Sequence, residues 1–162
     1  MRPNSNIFLY GKGIFSTIAF SSGKAFLWEK HWRRLTDNAA KVGIDLSEHT
    51  EQSTRDALDD EIATSGIADG RARVTFSDES PSEIWPGESE PKTKLSIIVA
   101  EQRVVPQPFK LTISPFPVNS RSPLAGVKSC NYLENILALG EAKKRGFHEA
   151  VRLNERSHIT SA

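Results

Sequence analysis

Cysteine is nearly missing from this sequence: Cys130 is the only one among 162 residues. A single thiol excludes an intrachain disulfide framework and suits a reducing, cytoplasmic compartment. An excess of charge of either sign is missing too. Lys plus Arg number 21 against 20 for Asp plus Glu, so no net field draws the chain to nucleic acid or to an anionic membrane. No apolar run is long enough to span a bilayer, and Met1-Arg2-Pro3-Asn4 does not read as a signal peptide. The four histidines, His31, His49, His148 and His158, fall without metal-ligand spacing, so no metal site is expected. Internal repeats and low-complexity blocks are absent as well. What remains, with 38% apolar and 25% charged residues, is the composition of an ordinary soluble globular protein. The length suits one domain, or one small domain with part of a second.

Patterning along the chain predicts an α+β organisation. Residues 14–20 are apolar and partly β-branched, which reads as a strand. Ser21-Ser22-Gly23 is a turn signal, and residues 24–27 can complete a hairpin. The period then changes. Trp28, Trp32, Leu35, Ala39 and Val42 recur at helical spacing and stop at Gly43. Ser47 can cap a second helix, carrying Leu58 and Ile62 and ending near Gly66. Strands resume at 72–76, 95–100 and 111–114, with 78–94 read as an exposed loop rich in Pro, Ser and Glu. Residues 115–123 hold three prolines and form the candidate interdomain linker. That divides the chain into an N-terminal α+β domain at 1–114, the linker, and the start of a second domain at 124–162. The second part carries Lys128, a helix from about Asn131 to Arg145 closed by Gly146, a strand at 150–153, and a turn at 154–157. A last strand runs to Ala162.

Lys128 is the residue with the clearest chemical possibility. It follows the proline-rich stretch and precedes an apolar-faced helix. A lysine short of water at a domain junction has its ammonium disfavoured, which frees the amine to attack an aldehyde carbon. On composition alone, a solvated surface lysine is the plainer reading.

The residues that follow resemble a known signature. Lys128, Asn131, the pair Glu141-Ala142, Gly146 and the pair Glu149-Ala150 stand in register with the segment around the Schiff-base lysine of class IV aminotransferases. That family groups branched-chain and D-amino-acid aminotransferases with aminodeoxychorismate lyase. Two upstream stretches are similar to other motifs of the family. Tyr10-Gly11-Lys12-Gly13-Ile14-Phe15-Ser16-Thr17 resembles its tyrosine-glycine-aspartate-glycine-x-phenylalanine-glutamate-threonine strand, and His31-Trp32-Arg33-Arg34-Leu35 its histidine-x-x-arginine-leucine helix. The resemblance implies a two-domain fold and pyridoxal 5'-phosphate held by Lys128, with Arg34 on the cofactor phosphate. A guanidinium fork matches phosphate oxygens and stays charged when buried. A surface ion pair is the alternative for Arg34. The resemblance also implies substrate-side roles for Phe15 and Arg73 and a cofactor-side role for Tyr132. Phe15 and Tyr132 are equally readable as core residues, His31 as a packed or capping histidine rather than a base, and Gly11-Lys12-Gly13 as a tight turn.

Departures from the family pattern shape the functional expectation. Ser161 stands where the family has a glutamate that pairs with the protonated pyridine nitrogen. A hydroxyl can hydrogen-bond that nitrogen but cannot hold a proton on it, which favours lyase-type elimination over transamination. Lys12 and Ser16 replace acidic residues of the first motif. The family continues well past the last strand, so the second domain is expected to be incomplete and the chain a fragment or an interrupted product. The expected activity is amino-group transfer, or pyruvate release from an aminated chorismate derivative, in a cytoplasmic homodimer acting on a small amino substrate. The alternative is an inactive remnant that only dimerises or binds a partner.

Overall fold

The computed structural model describes residues 3–85, 87 and 89–161. Met1, Arg2 and Ala162, which carry the two ends of the reading above, lie outside the described residues. The chain divides into two compact units, Met1–Arg103 with Val127–Cys130, and Val104–Gly126 with Asn131–Ala162.

The first unit is one antiparallel sheet covered by helices. Its elements are α1 (Asn6–Tyr10), β1 (Gly13–Ser21), β2 (Lys24–Ala25), α2 (Trp28–Val42), α3 (Glu51–Ser65), β3 (Gly70–Asp78) and β4 (Thr93–Glu101), with strand order β2-β1-β3-β4. The hairpin expected around Ser22-Gly23 is present, with Phe20 opposite Ala25. Because side chains alternate along a strand, the register puts Ile14, Ser16, Ile18 and Phe20 on one face with Phe76, Val74 and Ala72. The apolar faces of α2 and α3 close over them, so that Trp28, Leu35, Ala39, Leu58 and Ile62 join the same core. Leu35 and Leu58 are fully buried, each removal from water contributing about 1.5–3 kcal/mol. Both helices end where the sequence places a glycine, Gly43 and Gly66, each left-handed.

Three details differ from the sequence reading. The second helix is capped by Thr50, whose side chain accepts from the Ser53 amide in a reciprocal capping box. Ser47 instead bonds Asp45. The segment 78–94 is not wholly exposed, because Asp78 at the end of β3 and Ser80 and Ser82 beyond it are buried. They sit against the short helix α1, through hydrogen bonds from the Asn6 amide to the Ser80 carbonyl and from the Ser82 amide to the Asn4 carbonyl. Farther along, Ile84 and Trp85 are exposed as expected.

The second unit holds β5 (Leu111–Ile113), α4 (Leu133–Lys144), β6 (Glu149–Leu153) and β7 (Ile159–Ser161), in a sheet of order β5-β6-β7. The parallel pairing of β5 with β6 draws β5 into this unit. The sequence-based boundary after residue 114 therefore differs from the observed one after Arg103. A small core forms from Ala138 and Ala142 of α4, Ala150 of β6 and the partly buried Phe147. The helix closes as the sequence suggests, with Gly146 at φ 81°.

Candidate functional site

The position of Lys128 is set by its backbone. Residues 127–130 belong to the first unit, although the sequence reads them as opening the second domain. Two hydrogen bonds explain this. The Phe15 amide donates to the Lys128 carbonyl at 2.9 Å, and the Cys130 amide donates to the Gly13 carbonyl at 2.8 Å. Together they form an antiparallel bridge between Ile14 and Ser129. Gly13 permits the close approach. A Cβ there would lie 2.8 Å from Cys130 Sγ and 2.7 Å from Ile7 Cδ1, distances that real side chains do not tolerate. Val127 packs against the main core of the unit.

With Ser129 paired to Ile14, strand alternation sends Lys128 and Cys130 to the face of the sheet opposite the helices. Phe15 points the same way and is 2% exposed. The Lys128 Nζ lies 4.6 Å from the centre of the Phe15 ring, and the Arg73 guanidinium carbon lies 3.5 Å from it. Arg73 also donates to Thr75 Oγ1 at 3.4 Å and to the Cys130 thiol. Burial pushes the Cys130 thiol above its usual value, against the opposing pull of the Arg73 charge and hydrogen bond. Lys128, Phe15 and Arg73 are thus assembled within one unit.

Arg34 belongs to a different cluster. It reaches from α2 to Ser16 on the helix-covered face of β1, donating from Nη2 to Ser16 Oγ at 2.6 Å and to His31 Nδ1 at 3.0 Å. Ser16 and His31 Nδ1 are themselves 2.8 Å apart. Burial, and then the neighbouring Arg34 charge, lower the pKa of His31 from its ordinary 6.5. No carboxylate pairs with Arg34 among the described residues, so the ion pair weighed for it is not formed there. The sequence offered His31 as a packed or capping histidine and Ser16 only as a departure. Their spacing on separate elements gave no sign that they share a partner.

Tyr132 and Ser161 lie in the second unit. Tyr132 is half-buried at the start of α4, and Ser161 sits in β7 opposite Arg152. Arg152, which the sequence reading passed over, is 4% exposed. It donates to Glu134 at 2.9 Å, to the carbonyls of Phe116 and Pro117 at 3.2 Å each, and to Asn135. An arginine alternating with apolar residues in the strand 149–153 was the available signal. Its partners make it a tie between α4, β6 and the loop at 116–117. No group of three or more His, Cys, Asp or Glu side chains able to hold a metal ion occurs among the described residues. No described helix is long and apolar enough to cross a membrane.

A layered α+β fold with these three motif segments defines a class, and the comparisons identify it. Residues 13–162 match amino-transferase class IV, and the chain belongs to that family. The D-alanine aminotransferase of Listeria monocytogenes serotype 4b (strain F2365) is 26% identical over 149 residues, covering 88% of this chain and 50% of that protein. A candidate 4-amino-4-deoxychorismate lyase from Legionella pneumophila has a crystal structure that superposes with a TM-score of 0.87 at 26% identity, over 98% of this chain and 58% of that one. The branched-chain aminotransferase of Thermoproteus uzoniensis gives 0.83 at 22% identity, over 98% and 56%. The chain thus spans about half the length of the curated relative it matches.

Proposed function

We propose that this chain works as part of a pyridoxal 5'-phosphate enzyme that transfers an amino group, or eliminates from an amino-chorismate-type substrate, with Lys128 holding the cofactor. The observation that carries this reading is the anchoring of Lys128. Its carbonyl accepts from the Phe15 amide and, two residues on, the Cys130 amide bonds Gly13, which ties the segment to β1, and its amine lies over the buried Phe15 ring. A nucleophilic amine on a fixed backbone is what a covalent cofactor link requires. Arg34 fits the phosphate for a separate reason: it is a guanidinium with no carboxylate partner among the described residues, so part of its donor fork remains for phosphate oxygens.

When bound, pyridoxal phosphate supplies an aldehyde that condenses with amines and a ring that accepts the electrons left by bond cleavage. Lys128, displaced by the substrate amine, moves the α-proton at its Nζ as base and then as acid. Phe15 keeps water from that amine, and Arg73 offers a cation to a substrate carboxylate. Tyr132 is assigned to the phenolic oxygen of the cofactor and Ser161 to its ring nitrogen. A neutral hydroxyl at that nitrogen tilts the chemistry toward elimination, with the lyase favoured over the transaminase. A homodimer in the cytoplasm, acting on a small amino substrate, completes the proposal.

Borohydride reduction after incubation with pyridoxal phosphate, followed by peptide mass spectrometry, tests it. The expected result is a phosphopyridoxyl adduct on Lys128 that disappears in Lys128→Ala. Labelling spread over surface lysines would refute the assignment.

A further inference from the structure

We propose that Ser16 and His31 are positioning residues for Arg34, and that they act only while His31 is neutral with a bare Nδ1. This rests on the reading of Arg34 as the phosphate anchor, and it names what aims that anchor.

The geometry leaves little choice of protonation. An arginine donates and never accepts. Its Nη2 lies 3.0 Å from His31 Nδ1, so that nitrogen must offer a lone pair, and the ring proton must sit on Nε2. Ser16 completes the triangle. Its oxygen accepts from Arg34 at 2.6 Å, and its hydroxyl proton is directed at Nδ1, 2.8 Å away. Ser16 is fully buried, so its hydroxyl has no water to turn to, and a buried hydroxyl left without a partner is costly. The groups facing Nδ1 are therefore Arg34, on the same helix, and the uncharged Ser16 on β1. Arg34 cannot accept from a charged imidazole at all, and Ser16 could do so only by turning its own proton away from Nδ1. Protonation would set a second donor against Arg34 and remove one of the two bonds that hold the guanidinium.

The substitution pattern of this chain gives the arrangement its consequence. An acidic side chain at position 16 could pair with both cations and tolerate a charged histidine. Serine cannot, so here the orientation of Arg34 depends on an acceptor lone pair of His31. Only Nη2 is used in these two bonds, and the other guanidinium donors are thereby aimed by the pair.

Two measurements on the 162-residue chain decide the matter. The first needs no cofactor. Imidazole 15N spectra followed against pH should show His31 as the Nε2–H form, titrating below 6.5. The midpoint should rise in Arg34→Leu. A proton on Nδ1 near neutral pH, or a midpoint that ignores Arg34→Leu, would overturn the proposal. The second is pyridoxal phosphate affinity by absorbance titration at pH 8. His31→Asn keeps an acceptor where Nδ1 stood and should bind as the parent does. His31→Leu and Ser16→Ala should bind about tenfold more weakly, the worth of one charge-assisted hydrogen bond. Equal binding by His31→Leu and the parent would refute the positioning role. Circular dichroism melting confirms that each variant is folded, and His31→Asn keeps the test open if His31→Leu is not. A parent chain that forms no Lys128 adduct would defeat the proposed function alone, because the 15N spectra still decide the state of His31.

Discussion

Single side chains carry two sharp consequences. At Gly13 there is no room for a methyl group, since a Cβ would meet Cys130 Sγ at 2.8 Å and Ile7 Cδ1 at 2.7 Å. Gly13→Ala should cost about 1–3 kcal/mol in chemical denaturation, the usual range for overpacking. Cys130→Ala should recover part of that loss in the double variant, because it removes one of the two obstacles. Purely additive costs would show that the segment around Lys128 does not approach β1 this closely. Lys12 supplies the second. The sequence presented it only as a departure from an acidic position, whereas the fold gives it a partner in Asp78 at 2.9 Å. Burial opposes the Asp78 charge, yet hydrogen bonds from Ser80, Lys12 and Asn6 hold its pKa below 3.8. A depressed carboxylate stabilises the fold above its unfolded value and loses that contribution as pH falls through the folded one. Stability measured by urea midpoints should therefore fall as pH drops below 3.8, and Lys12→Met should shrink that fall. An unchanged acid limb in Lys12→Met would exclude the pair as its cause. Such long-range partners are what local pattern cannot show. The motif singled out Lys128, but not the β1 hydrogen bonds that assign its segment to the first unit.

At the scale of elements, periodicity was informative and boundaries were less so. The stripe from Trp28 to Val42 in α2 was readable because one face of a helix must be apolar to pack, and its members do enter the core. The cap of α3 was misread because Ser47 and Thr50 are both good capping residues. Choosing between them needs the reciprocal bond with Ser53, which follows from backbone geometry. Thr50→Ala should lower stability by about 0.5–2 kcal/mol, and Ser47→Ala, whose hydroxyl bonds the exposed Asp45 two residues away, should change it by a few tenths at most. A larger loss for Ser47→Ala would contradict the observed start of the helix. The five-residue helix α1 left no periodic trace, being too short to show one. The buried serines after β3 hid for a different reason: Ser80 bonds Asn6 of α1, Asp78 and Lys92, and Ser82 bonds Asn4, all but Asp78 distant in sequence, so their polarity suggested a loop.

For the whole molecule, the question is which reaction the family scaffold supports in this sequence. The chain shares the class IV fold over 98% of its length with proteins named as lyases and as transaminases, so fold alone does not choose between them. Under the proposed assignment, the residue at the cofactor ring nitrogen would. Ser161 sits on β7, in register with the buried Arg152. A carboxylate installed there would hold a proton on the ring nitrogen and strengthen its draw on electrons, which transamination needs more than elimination does. Ser161→Glu should therefore raise single-turnover transamination, followed by loss of the aldehyde absorbance with D-alanine and with branched-chain amino acids, roughly tenfold, the equivalent of one pKa unit. The yield of the Lys128 adduct should stay constant, since that bond does not pass through the ring nitrogen. A variant with full adduct and unchanged turnover would remove Ser161 from the site while leaving Lys128 in it. The cofactor-holding and electron-accepting parts of the proposal can therefore fail separately.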